Sequence, residues 1–164
     1  MKALPIIFKR SANHGILRAN GGTDGLCRFT AFHLYLMEND ERYEAPLDRF
    51  FSAMDEGRFR VIASTIVLAE VLVKPYRLEQ WEIAKKYELI FEGIPHLSQL
   101  PVDRKIARTA AKLRAAHSLL TPDAVHLATA VTSEADFFLT NDRDFKKVDK
   151  PNSRFPKLVF IDDL

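Results

Sequence analysis

Short runs of branched and aromatic residues alternate with longer amphipathic runs from Phe32 to the C-terminus. That alternation restricts the fold more than any other feature. RFRVIAS, HLSQLPVD, ADFFLT and KLVFIDD have the length and composition of strands. Between them, apolar residues recur at spacings of three and four, the period of a helix. HLYLMENDERY reads as one helix and APLDRFFSAMDEG as the next, with Leu47, Phe50, Phe51 and Met54 on one face and Gly57 as its stop. TIVLAEVLVKP begins where Ser64 or Thr65 can cap and is expected to stop near Pro75. LEQWEIAKKYELIFEG puts Trp81, Ala84, Tyr87 or Glu88, and Phe91 along one line, and RKIARTAAKLRAAHS does so with Ile106, Ala110 and Leu113. In Thr121-Pro122-Asp123, threonine can cap, proline suits the first turn, and aspartate favours the positive end of the helix dipole. Strands alternating with helices predict an α/β fold: a parallel sheet with helices on both faces.

The 164 residues suffice for one domain with a core, and 47% hydrophobic with 28% charged residues is the balance of a globular protein. A net charge of +2 argues for neither nucleic acid nor membrane by itself. The single cysteine, Cys27, excludes an internal disulfide, and no CxxC or Cys/His cluster suggests zinc; a reducing, cytoplasmic setting fits. No apolar run approaches the roughly 18 residues of a membrane span. ALPIIF is too short for the apolar core of a signal peptide. Residues 1–25 show no sustained period, and Gly21, Gly22 and Gly25 interrupt any helix. They are expected to be a disordered or mistranslated segment ahead of a domain over 26–164.

Three acids stand out. Asp142 directly follows the strand ADFFLT, and ligands of open α/β sheets bind beyond the carboxyl ends of the strands. It can also simply form a turn within TND. Asp123 has a structural reason to sit at a helix start. Glu70 has the weakest such reason: Leu68, Ala69, Val71 and Leu72 surround it, and a carboxylate in apolar surroundings needs a partner. His126, three residues after Asp123, reads better as a packed histidine donating one hydrogen bond than as a ligand. Arg143, Lys146, Lys147, Lys150 and Arg154 form a loose basic run near Asp142 that could hold a phosphate backbone or simply be solvated.

TPDAVHLATA and ADFFLTNDRDF, with STIVLAEVLVKP and LPVDRKIARTAAKLRAAH, resemble the PIN domain, and especially the VapC-like toxin nucleases of toxin–antitoxin pairs. The resemblance runs from about Phe32 to the C-terminus. It implies a three-layer α/β/α fold with a central parallel sheet. It also implies an endoribonuclease dependent on Mg²⁺ or Mn²⁺, an RNA substrate, an antitoxin partner and a homodimer. Carried over residue by residue, Glu70, Asp123 and Asp142 match the family's metal-binding catalytic acids, with Thr140 and Asn141 as supporting neighbours. Clustered carboxylates of this kind repel one another unless a cation neutralises them, and hard oxygen ligands suit Mg²⁺ or Mn²⁺.

The family's opening aspartate is missing: counting back from Glu38, its position falls on Phe29, beside Thr30, and Asp24 lies five residues too early. As a hypothesis, a shifted reading frame over Asp24–Tyr35 accounts for this, because codon degeneracy permits Met-x-(Tyr or Phe)-(Val or Ala)-Asp-Ser-x-x-Phe-Ile-Tyr ahead of Leu36. The nucleotide sequence across Asp24–Leu36 decides it. A degenerate PIN module that binds RNA or an antitoxin without efficient cleavage is therefore the alternative to an active nuclease. A phosphatase-like reading of Asp142-x-Asp144 ranks lowest, since such a pair belongs after a first strand.

Overall fold

A computed structural model describes residues 28–29, 41–140, 142–148 and 155–160. The expectations for residues 1–25, for most of HLYLMENDERY, and for Asn141, Lys150 and Arg154 lie outside these residues. Strand β1 (Arg28–Phe29) pairs in parallel with β2 (Arg60–Ser64), and β2 pairs in parallel with β3 (Leu97–Leu100). Strands β4 (Phe137–Thr140) and β5 (Lys157–Phe160) form a second parallel pair, and β1 lies beside β4 without a described ladder between them.

Side-chain alternation along the strands creates two covered faces. From β4, Phe138 enters a cluster with Ile106, Ala110 and Leu113 of helix α5 (Arg104–His117) and Leu127 of helix α6 (Thr121–Thr132). Its neighbours Phe137 and Leu139 turn the other way, toward Leu47, Phe50 and Met54 of helix α1 (Glu41–Asp55). Val61 of β2 joins that second cluster. Ala63 packs instead with Val67 and Val71 of α2 (Ile66–Val71) and with Ala84 and Phe91 of α4 (Trp81–Gly93). The result is the three-layer α/β/α arrangement with parallel strands. Burying one large apolar side chain such as Phe50 or Leu127 is worth about 1.5–3 kcal/mol.

Where helix ends were expected, several hold and several move. Gly57 ends α1 as expected: its φ is +72°, its N–H donates to the Met54 carbonyl at 2.8 Å, and Arg58 N–H donates to Ala53 at 3.1 Å. The beginning of α1 differs. It runs unbroken from Glu41 through Pro46, at the cost of the hydrogen bond that residue 46 cannot donate. TIVLAEVLVKP stops two residues past Pro75, at Arg77, but is not one helix. It divides at Leu72 into α2 and α3 (Val73–Arg77), so Pro75 falls in the first turn of α3, where no N–H is needed. Thr121 is the first helical residue of α6; Leu120 occupies the cap position and offers no side-chain cap. Trp81 does not share the burial of Ala84 and Phe91 but is 63% exposed.

Candidate active site

Strand β2 ends at Ser64, whose hydroxyl accepts from Ile66 N–H at 3.4 Å as the chain turns into α2. Thr65, at the cap position itself, makes no side-chain cap bond. Two residues of α2, Val67 and Val71, are buried and fix its roll. Glu70 is then carried toward α6. Its Oε2 accepts a hydrogen bond from His126 Nε2 at 2.9 Å, and the two side chains are only 19% and 16% exposed. This pair resolves the question that Glu70 raises in the sequence: a carboxylate among apolar neighbours has a cationic or donor partner across the helix interface. His126 is the packed, donating histidine expected from the sequence, with Glu70 as its acceptor.

Asp123 lies in the first turn of α6, one turn before His126. Position alone would give its carboxylate about 0.3–1 kcal/mol from the helix dipole and lower its pKa. The observed direction is opposite. Burial pushes Asp123 above its ordinary value of 3.8, and the Asp142 carboxylate adds to the push; His126 opposes it, while Glu70 and Asp144 raise it further. Desolvation and acid–acid repulsion therefore outweigh the dipole. The fold brings Glu70, from α2, and Asp142 and Asp144, from the segment after β4, within electrostatic reach of Asp123.

Asp142 follows β4. Thr140, 5% exposed, accepts from Asp142 N–H at 3.1 Å, and Asp142 Oδ1 accepts from Asp144 N–H at 2.8 Å. The turn-forming role weighed for TND is thus present, and it holds Asp142 at the exposed rim. The described cations of the neighbouring basic run are locally engaged. Arg143 lies 4.4 Å and Lys146 5.6 Å from the Phe160 ring centroid, and Lys147 pairs with Asp144 at 3.0 Å. Among the described residues, no group of three or more His, Cys, Asp or Glu side chains is placed to hold a metal ion together.

A model of the PIN domain matches residues 30–151. The chain belongs to the PIN domain family. The match begins at Thr30, directly after β1 and one residue past Phe29. No curated protein sequence matches this PIN domain chain. Among solved structures it is similar to a chain of VapBC2 from Rickettsia felis bound to a DNA fragment from their promoter, with a TM-score of 0.61 and 16% identity over 83% of this chain and 98% of that one. It is also similar to a chain of a toxin–antitoxin complex from Klebsiella pneumoniae, with a TM-score of 0.48 and 18% identity over 79% and 98%. No helix among the described residues of this PIN domain is long and apolar enough to cross a membrane.

Crowding at Asp123 has a sign that stability can report. A carboxyl whose folded pKa lies above its unfolded value binds its proton more tightly when folded. Its contribution to stability therefore falls as pH rises from 3.8 through the raised pKa, and the penalty is complete at neutral pH. Asp123→Asn is expected to melt at a higher temperature than the parent at pH 7 in EDTA, and the difference should vanish below pH 3.8. A variant that melts lower at pH 7 would contradict the crowding.

Proposed function

We propose that this PIN domain chain is an endoribonuclease that hydrolyses RNA phosphodiester bonds with Mg²⁺ or Mn²⁺, and that it is the toxin half of a toxin–antitoxin pair. The observation that carries the reading is the crowding of one buried α6 carboxyl, Asp123, by acids from two other segments: Glu70 of α2, and Asp142 and Asp144 after β4. In a PIN scaffold, Glu70, Asp123 and Asp142 are the positions for metal-binding catalytic acids, with Thr140 and Asn141 as supports. Clustered carboxylates favour a divalent cation, and hydrolysis of a phosphodiester needs charge neutralised at the scissile phosphate.

An antitoxin protein and a second copy of the chain are the partners in this reading, with the cytoplasm as its setting. Exposed apolar side chains on α3 and α4 support a protein partner: Tyr76 and Trp81 are 42% and 63% exposed with ring centroids 5.4 Å apart, beside Leu78 at 53%.

A second reading is favoured by a specific observation. Phe29 stands where the family's first acid is expected, and Glu70 is already engaged by His126. Both favour a PIN module that binds RNA or an antitoxin and cuts poorly. Incubating the purified chain with single-stranded RNA in Mg²⁺, in Mn²⁺ and in EDTA tests the two. Weak cleavage that requires the cation and disappears in Asp123→Asn is the expected result. RNA left intact under all three conditions, by a protein that still binds it, would replace the nuclease with the binding module.

A further inference from the structure

Helix α5 carries five cationic residues, Arg104, Lys105, Arg108, Lys112 and Arg114, and no acid. Its buried face is Ile106, Ala110 and Leu113, and all five cations are exposed. Two are tied down: Lys105 Nζ donates to the Thr132 carbonyl and Arg114 Nε to the Leu119 carbonyl, both at 3.3 Å. Arg104, Arg108 and Lys112 form no ion pair or side-chain hydrogen bond among the described residues. The nearest acid in sequence, Asp103, is occupied as the helix cap, accepting from Ile106 N–H at 2.7 Å. The three free cations follow one another at intervals of four residues, about 6 Å per step along the helix.

Such a row works against the helix that bears it. Like charges four residues apart repel, and Arg104 in the first turn opposes the helix dipole. A helix serving only as scaffold would intersperse acids. Ala107, Ala111 and Ala115, all exposed, lie beside the row and raise no bulky side chain against an approaching polymer. The row runs toward the corner after His117, beyond which α6 begins and carries Asp123. The described cations after Asp142, by contrast, are engaged: Arg143 and Lys146 with Phe160, and Lys147 with Asp144.

We propose that Arg104, Arg108 and Lys112 form a phosphate-tracking ridge on α5 that docks the backbone of single-stranded RNA. A regular row of cations matches a polymer with a regular charge repeat, and phosphate contacts of this kind set position without reading sequence. The ridge presupposes the RNA ligand proposed above, whether or not the chain cuts it.

The test is fluorescence anisotropy with a labelled oligouridylate in EDTA, over a series of salt concentrations. The triple variant Arg104→Gln, Arg108→Gln, Lys112→Gln is compared with a control that removes equal charge elsewhere, Arg77→Gln, Lys85→Gln, Lys86→Gln on α3 and α4. The ridge variant should bind about tenfold more weakly near 0.1 M salt, and its log–log salt slope should flatten by about 2, from roughly 0.7 per single-strand phosphate. The control should change less than about twofold. Circular dichroism melts should show the ridge variant no less stable than the parent, since repulsion is removed.

Equal weakening by both triples, or no weakening by either, overturns the ridge, as does a parent chain that does not bind the oligouridylate. Ridge-dependent binding of poly-L-glutamate with no ridge dependence for RNA would assign the surface to an acidic protein and overturn it too. A parent that fails to cut RNA in Mg²⁺ or Mn²⁺ yet binds it through the ridge removes the nuclease reading and leaves the ridge standing.

Discussion

Phe29→Asp is expected to raise metal-dependent RNA cleavage by about two orders of magnitude. Phe29 is the last residue of β1, opposite Val61 in a parallel ladder, so its position is set by strand pairing. β1 also lies beside β4, the strand that leads to Asp142. In the proposed reading, a carboxylate at this position restores the family's first acid. Cation attraction is spread over several carboxylates, so losing one weakens binding moderately. Rate is more demanding, because a misplacement of about 1 Å can cost about 10²-fold. The comparison uses the parent chain, Phe29→Asp, and a chain beginning Met-x-Tyr-Val-Asp-Ser ahead of Leu36, each in Mg²⁺ and in Mn²⁺. Equal, robust cleavage by all three would show the first aspartate to be dispensable. No cleavage by any of them would favour the binding module.

His126→Ala should cost the fold about 2–3 kcal/mol, the worth of a hydrogen bond to a charged group in a mostly buried setting. The pair joins α2 to α6 at 2.9 Å with little solvent on either side. In the variant the Glu70 carboxylate loses this donor while staying desolvated. Glu70→Gln keeps an acceptor for His126 and should cost less than half as much. For a domain of 164 residues, each kcal/mol corresponds to roughly 2–4 °C in melting temperature. Urea melts of both single variants and the double variant give the coupling. A value below about 0.5 kcal/mol would mean that the contact is incidental. A second readout is chemical: His126 holds the Asp123 pKa down, so removing it should drive Asp123 further up in a carboxyl titration followed by NMR.

Much of this fold was readable residue by residue, and the failures share a cause. The stripe of Ile106, Ala110 and Leu113 is buried as its spacing requires, and Gly57 takes the left-handed conformation that its place predicts. The boundary expected between ERY and APLDRFF is absent, and the stop expected near Pro75 comes at Arg77, because a missing N–H signals a break only in the interior of a helix. Pro75 sits in a first turn, and at Pro46 the packing of α1 on the sheet outweighs one lost bond. Trp81 fits a helical stripe but lies at the first residue of α4, where the helix has not reached its neighbours. In the site, the unease of Glu70 among apolar residues was visible in sequence. That its partner is His126, 56 residues away, was not. Electrostatic contact between Asp123, Asp142 and Glu70 depends on how strands order themselves in space, which no local pattern encodes. The sequence reading of RKIARTAAKLRAAH took up its apolar stripe and passed over its cations, whose lack of partners depends on which acids the fold brings near.

Helix α6 is enclosed on nearly every side: Ala124, Leu127, Ala128, Thr129 and Ala130 are all 0% exposed, against α5, β2, α2 and β4. Its alanines let these neighbours close in, and its hydroxyls are spent internally, with Thr129 Oγ1 donating to the Val125 carbonyl and Thr132 Oγ1 to Ala128, both at 2.8 Å. An element so placed cannot open without dismantling the layers around it. Its interior amides should therefore exchange with deuterium only when the whole molecule unfolds, while those of the exposed segment around Asp142 exchange through local excursions. By that expectation Asp123 and His126 ride on the slowest-opening part of the protein, and Asp142 on a faster one. In kinetic terms, the site joins a fixed jaw to a movable one.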